Sequence, residues 1–285
     1  PPTTTQFDRR RQRQMCIRDR VSLCVLAPLW QVFPVYPGYR TSTMQVFNNL
    51  HAFVWQSMNT NNCNAYLIDG PVRVLIDPGH SKLFDHVAQG LKQLGLAITD
   101  IDLIICTHAH PDHIEAVQLF KDIPTQFTVH EDEWQWAVTI GKQMSAAFGI
   151  DMDAIMPDFF LREGQLSLDG LEMNIFHTPG HSPGSITLYW PSQKALFTGD
   201  LVFKEGLGRT DLPGGDGSKL KESIKRLTDL DVEWLLPGHG EIISGAEKVR
   251  KNFADIEQFY FAFVLGLGQI SEAGSLWSVV SDWSS

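Results

Sequence analysis

From Met44 onward the chain is built of short apolar runs punctuated by turn residues. Asn64 to Ile68 and Val72 to Ile76 are two such runs joined through Asp69-Gly70, a dipeptide that signals a hairpin when apolar strands flank it. Asp77-Pro78-Gly79 closes the second run. The period then changes: Leu83, Val87, Leu91 and Leu94 fall on one helical face, with Ser81 as the expected N-cap and Gly95 as the stop. Asp102 to Cys106 reads as a buried strand, and a helix is expected to begin near His113. Further strands are predicted at Phe127 to His130, Leu171 to Phe176, Ser185 to Trp190, Ala195 to Thr198 and Trp234 to Leu236. Strands in clusters with helices between them predict two facing sheets flanked by helices, an α/β fold of the four-layered αββα type.

Chemistry collects where these runs end. Thr107-His108-Ala109-His110-Pro111-Asp112-His113 follows the strand at Asp102 to Cys106 and crowds three imidazoles and a carboxylate into six positions. Crowded histidines need partners for their ring nitrogens, and a divalent cation satisfies several at once. One His-x-His pair arises as readily in a solvated loop, but the full His-x-His-x-Asp-His string is far more specific. Three later segments each place one ligand-type side chain past a short apolar run: Thr178-Pro179-Gly180-His181, Phe197-Thr198-Gly199-Asp200 and Leu236-Pro237-Gly238-His239-Gly240. An isolated Pro-Gly-His is ordinarily a turn histidine. Together, His108, His110, Asp112, His113, His181, Asp200 and His239 are too many for one four-coordinate ion and suit two ions with Asp200 as a shared carboxylate.

This ordered set, over about Val46 to Phe263, resembles the metallo-beta-lactamase superfamily. Thr198 to Phe203 with Gly208 to Gly215 is most similar to its hydroxyacylglutathione hydrolase (glyoxalase II)-like branch. The resemblance implies that His108, His110 and His181 hold one metal, that Asp112, His113 and His239 hold the other, and that Asp200 is shared. It further implies two Zn2+ ions, with Fe or Mn as alternatives, and a bridging hydroxide that cleaves a thioester or related acyl bond, with Asp112 and Asp200 at the reacting centre. Asp77 is expected to orient a ligating histidine or to cap its own turn. Arg209 is expected either to hold a substrate carboxylate or to brace its loop through Asp211 or Asp216. A persulfide dioxygenase with one iron on His108, His181 and Asp200 is the rival reading, and a non-catalytic scaffold the second. Relatives that cleave beta-lactams usually lack the bridging aspartate, and flavo-diiron relatives carry Glu at the position of His110. Glyoxalase II enzymes add a C-terminal helical domain, whereas 46 residues follow His239 here, which weakens the case for glutathione itself.

Composition narrows the partners. A length of 285 residues with 43% hydrophobic content suits one large domain, and a net charge of −10 disfavours nucleic acid. The expected partner is a small thioester or acyl compound; nothing in the sequence addresses oligomeric state. Cys16, Cys24, Cys63 and Cys106 are widely spaced, which suggests neither a disulfide framework nor a thiolate zinc site and fits the cytoplasm. Arg9 to Arg20 is basic and Val21 to Phe33 mostly apolar, the layout of a secretory leader, but no cleavage site follows, and Pro28 and Pro34 break a run too short to span a bilayer. Met15 to Arg20 resembles translated adapter sequence. Residues 1–43 are therefore expected to be a non-native or disordered leader, 44–263 the catalytic domain, and 264–285 a tail without assigned role. The stripe Trp136, Ile140, Met144, Phe148, Met152, Met156, Phe159 and Phe160 suits either an apolar lid or plain core packing.

Overall fold

In the computed structural model, which describes residues 4–5, 42–57, 59–139, 150, 152 and 155–261, two sheets face each other. The chain runs through β1 (Thr4–Thr5), β2 (Ser42–Phe47), β3 (Leu50–Val54), β4 (Ala65–Ile68), β5 (Val74–Ile76), α1 (Asp85–Gln93), β6 (Leu103–Ile105), α2 (Pro111–Ile114), β7 (Gln126–His130), α3 (Glu131–Thr139) and β8 (Phe159–Leu161). It continues through β9 (Gly164–Leu168), β10 (Leu171–His177), β11 (Ile186–Trp190), β12 (Ala195–Gly199), β13 (Val202–Phe203), β14 (Gly206–Leu207), α4 (Gly217–Lys225), β15 (Trp234–Pro237), β16 (Ile243–Ser244) and α5 (Ala246–Phe259). One sheet has the order β2-β3-β4-β5-β6-β7-β8 and the other β1-β9-β10-β11-β12-β15-β16, with β13 and β14 a separate hairpin.

Strand alternation explains why the sheets stack. In β4, Tyr66 and Ile68 point between the sheets while Ala65 and Leu67 point outward beneath helices. In β6, Leu103 and Ile105 take the inner face and Ile104 the outer. In β12, Ala195 and Phe197 face inward, and Leu196 joins Leu220, Ile224 and Val249 under α4 and α5. Both faces of these three strands are thus covered, so they are apolar almost throughout, whereas β9 and β10 alternate buried residues with exposed Gln165, Ser167 and Glu172. Burying one such Leu or Ile contributes about 1.5–3 kcal/mol, which makes the three apolar layers the main support of the fold.

Several boundaries differ from expectation. The Asp69-Gly70 hairpin is present, with Ile68 opposite Val74. Ser81 is not an N-cap: its hydroxyl donates to Glu115 O at 2.9 Å, and a 3-10 turn at Ser81–Leu83 precedes α1. The helix expected near His113 starts at Pro111, whose missing N–H is harmless at the first position, and gives way to a 3-10 helix over Glu115–Phe120. Ser42 and Thr43 already pair with Val54 and Phe53, two residues ahead of the expected boundary at Met44, and Thr4–Thr5 pairs with β9. Of the apolar stripe, Trp136, Met152 and Phe160 pack on the outer core and Phe159 on the inner one, whereas Met156 is exposed; Ile140, Met144 and Phe148 lie outside the described residues, as do Val21 to Phe33 and 264–285. Cys63 and Cys106 are free and buried, and Cys16 and Cys24 lie outside the described residues.

Candidate metal centre

One edge of the sandwich gathers the strand ends that carry chemistry. β5 and β6 run parallel, as do β12 and β15, and each delivers its last residue to this edge. The register of β12 against β15 shifts between Phe197 and Gly199, and such an irregularity re-aims the residue that follows, here Asp200. Cross-sheet bonds lock the edges together: Ile186 N donates to Thr107 O at 2.9 Å, Asn64 N to Gly238 O at 2.6 Å, and the Tyr66 hydroxyl to Pro237 O at 2.7 Å.

The seven side chains singled out from sequence converge here. His108, His110 and His181 form one group, Asp112, His113 and His239 a second, and His108, His113 and Asp200 a third; within each group the candidate ligand atoms lie within 4.8 Å of one another. Asp200 Oδ2 is 4.0 Å from His108 Nε2, 3.5 Å from His181 Nε2 and 3.4 Å from His239 Nε2, while its Oδ1 is 3.2 Å from His113 Nε2. The carboxylate therefore stands between the two triads. Asp112 Oδ2 is 3.2 Å from His239 Nε2 and accepts a hydrogen bond from Asn61 Nδ2 at 2.9 Å.

Hydrogen bonds away from the centre set the imidazole tautomers. The Thr107 hydroxyl donates to Asp77 Oδ2 at 2.7 Å, so its oxygen accepts from His108 Nδ1 at 3.2 Å and leaves the His108 Nε2 lone pair facing inward. His181 Nδ1 donates to Arg209 O at 2.7 Å, with the same result at its Nε2. Asp77 Oδ2 faces His113 Nδ1 at 3.0 Å and Oδ1 accepts from Thr107 N at 2.7 Å, so this aspartate orients a histidine of the second triad. His110 instead turns Nδ1 inward, 2.8 Å from His181 Nε2.

Electrostatics divide the cluster. Burial, with the neighbouring rings, pushes His108 well below its ordinary range and His110 down to about 3; burial also lowers His181, so all three are held neutral, the form that ligates. Burial works against charge on His113 and His239 too, but Asp200 and nearby carboxylates overcome it, lifting His113 well above its usual value and His239 to about 10. Burial likewise opposes charge on Asp112 and Asp200, yet His113 and His239 hold both carboxyls well below the usual range. A buried pocket with fixed anionic charge that draws protons onto two imidazoles, and with a buried His108 Nε2 lacking any hydrogen-bond partner, has the donor set and charge that fit divalent cations.

Glycine makes this approach possible at Gly238, where a Cβ would sit 2.3 Å from Asp200 Oδ1 and 2.8 Å from His113 Cε1. The side chain of Arg209 is engaged with Asp211 through two hydrogen bonds of 2.8 and 2.7 Å, and both are largely exposed; it is the main-chain carbonyl of Arg209 that touches the centre. Sequence reasoning missed Asn61, Asn64 and Glu133, polar residues whose partners are 51, 173 and 24 positions away. A further His/Asp group, His130, Asp132 and His177, lies elsewhere; its two rings stack 4.2 Å apart at 10°, so their in-plane lone pairs run side by side rather than converge.

The chain belongs to the metallo-beta-lactamase superfamily, whose family model matches residues 58–239. A protein named probable metallo-hydrolase from Methanocaldococcus jannaschii is 38% identical over 185 residues, covering 63% of this chain and 88% of its own. The hydroxyacylglutathione hydrolase GloC of Haemophilus influenzae is 32% identical over 197 residues, covering 67% and 91%. Among solved structures, the di-iron-bound form of TTHA1623 is 31% identical with a TM-score of 0.55 over 72% of this chain and 94% of its own, and the B3 metallo-beta-lactamase BLEG-1 is 30% identical with a TM-score of 0.57 over 71% and 94%. The protein is a metallo-hydrolase with the αββα fold expected from sequence, and the three overlapping His/Asp groups of this centre are suited to a divalent metal, one or two ions. Among the described residues no helix is long and apolar enough to cross a membrane.

Proposed function

We propose that the protein is a two-metal hydrolase of small thioesters, with His108, His110 and His181 holding one cation, Asp112, His113 and His239 the other, and Asp200 shared. The observation that carries this reading is the position of Asp200, whose Oδ2 is within 3.5 Å of His181 in one triad and of His239 in the other. When bound, such cations act as Lewis acids and lower the pKa of water to about 7. Zinc suits this imidazole and carboxylate set, and the di-iron neighbour keeps iron in view.

The chain's own groups supply orientation. Asp112, fixed by Asn61, presents a carboxylate oxygen that can align a water for attack on an acyl carbon. Water then adds to that carbon and gives up its protons to solvent, the carbon–sulfur bond breaks, and the departing thiolate, a good leaving group, takes up one proton, which leaves a carboxylate and a thiol. Asp77 and the Arg209 carbonyl hold His113 and His181 in the ligating tautomer. The Gly208-Arg209-Thr210-Asp211 segment and the GloC relative support the thioester over other acyl bonds. The buried anionic centre and net charge of −10 favour a small substrate over nucleic acid, and a cytoplasmic setting is consistent with the free, buried Cys63 and Cys106.

Elemental analysis of protein purified without added metal, paired with oxygen uptake, tests the reading. Near two zinc, or two iron, with thiol release and no oxygen uptake supports the hydrolase. One iron with oxygen consumed on glutathione persulfide moves the assignment to a dioxygenase, and no metal moves it to a scaffold.

A further inference from the structure

The loops that carry His108, His110 and His181 come from opposite sheets, and one side chain outside the seven candidate ligands hydrogen-bonds to both of them. Glu133, in the first turn of α3, is fully buried. Its Oε1 accepts from Ala109 N at 2.8 Å, between His108 and His110. Its Oε2 accepts from the Ser182 hydroxyl at 2.8 Å and from Gly184 N at 2.7 Å, directly after His181. We infer that Glu133 is a positioning residue: a rigid carboxylate strap that sets the spacing of the two ligand loops and so tunes the affinity of the His108/His110/His181 set for its cation. The inference rests on that ligand assignment.

Burying a carboxylate is costly unless donors surround it, and one placed by chance in a helix would be better replaced by an apolar residue. Here all three donors come from the two loops, and none comes from the helix that carries the glutamate. The approach is also tight, because a Cβ on Gly184 would lie 2.1 Å from Glu133 N and 2.5 Å from its Cβ. The Ile186 to Thr107 backbone bond joins the same two segments without Glu133, but on the His181 side it lies five residues past the histidine, whereas Glu133 binds at Ser182 and Gly184. The chemistry separates glutamate from glutamine of the same shape. Three donors require acceptors on both arms, and a carboxamide offers one acceptor arm and one donor arm, so either orientation sets N–H against N–H or against a hydroxyl that must turn away.

Glu133→Gln and Glu133→Asp test this in the full chain. Stepwise zinc titration against a competing chelator should show two binding steps in the wild type. In Glu133→Gln one step should weaken by about 10–100-fold, as expected for a residue that orients ligands, while the other is unchanged. Glu133→Asp, which keeps both acceptors, should recover part of the loss. Hydrogen exchange on metal-free protein gives a second readout: the Ala109 and Gly184 amides should exchange faster in Glu133→Gln with the strands of both sheets unaffected. Unchanged amide exchange, or equal weakening of both zinc steps together with a general loss of protection, would overturn the strap. Failure of the ligand assignment looks different, since His110→Ala and His181→Ala would then leave wild-type zinc binding intact while the amide exchange result still decides whether Glu133 holds the two loops.

Discussion

The Asp77 carboxylate lies 3.0 Å from Nδ1 of His113, on the side of the ring opposite the Nε2 that faces Asp200 at 3.2 Å. Asp77 is buried, adopts φ of 51°, and takes both hydrogen bonds that Thr107 can give. Asp77→Ala should lower metal affinity by about 10–100-fold, because His113 loses its orientation. Leaving Thr107 N without its partner should also cost about 1–3 kcal/mol of stability. Chelator-competed metal binding and a denaturant melt check these together, and wild-type affinity in the variant would remove Asp77 from the site.

Asp200→Ala takes a neighbour from both triads at once. Turnover should fall by about 100–1000-fold or to background, the scale of losing a principal electrostatic group, with metal content lowered. His239→Ala should lower occupancy of one ion only. Elemental analysis of both variants decides, and full metal with full activity in Asp200→Ala would show that the carboxylate is not shared. Gly238→Ala should resemble a mild form of Asp200→Ala, since its Cβ would collide with Asp200 Oδ1.

A pH effect independent of the centre is expected at His86. This buried ring donates Nδ1–H to Leu83 O at 2.8 Å and packs edge-on against Trp55, and burial lowers its pKa to about 4. Since the unfolded ring takes a proton near 6.5 and the folded one resists until about 4, its contribution is complete above about pH 6.5 and is lost as pH falls toward 4. The full loss is of order 3 kcal/mol, of which about 2 kcal/mol falls between pH 7.5 and 5. Comparing melts at pH 7.5 and 5, His86→Leu should lose less stability on acidification than the wild type; an equal loss would show that other groups set the acid limit.

Arg209→Ala should change stability by no more than about ±0.5 kcal/mol, because its exposed pair with Asp211 is worth little and its carbonyl still anchors His181. Metal content should be unchanged. A tenfold rise in KM with constant kcat would instead place the guanidinium on the substrate.

These side chains differ in how visible they are from sequence. His108, His110, Asp112 and His113 sit within one short run that is specific by itself, whereas His181, Asp200 and His239 each lie past the end of an apolar strand and stand out only in company with that run. Ala65–Ile68 and Val74–Ile76 were legible for the same reason, because Asp69-Gly70 marks their turn. Glu133 and Asn61 were not, since a glutamate in a helix's first turn and an asparagine in an Asn-rich loop look like solvated residues until folding brings Ala109, Ser182 and Asp112 to them. Ser81 misled because its best partner, Glu115 O, is 34 positions away rather than in its own helix. Arg209 shows the converse: its residue type suggested a substrate fork, while its neighbour Asp211 already fills that fork.

The most direct test is to strip the protein of metal, add zinc in steps, and follow thiol release from a simple acyl-thioester. Release should be negligible without metal, rise with zinc, and level off when two equivalents are bound. Two equivalents bound with no thiol released would contradict the account.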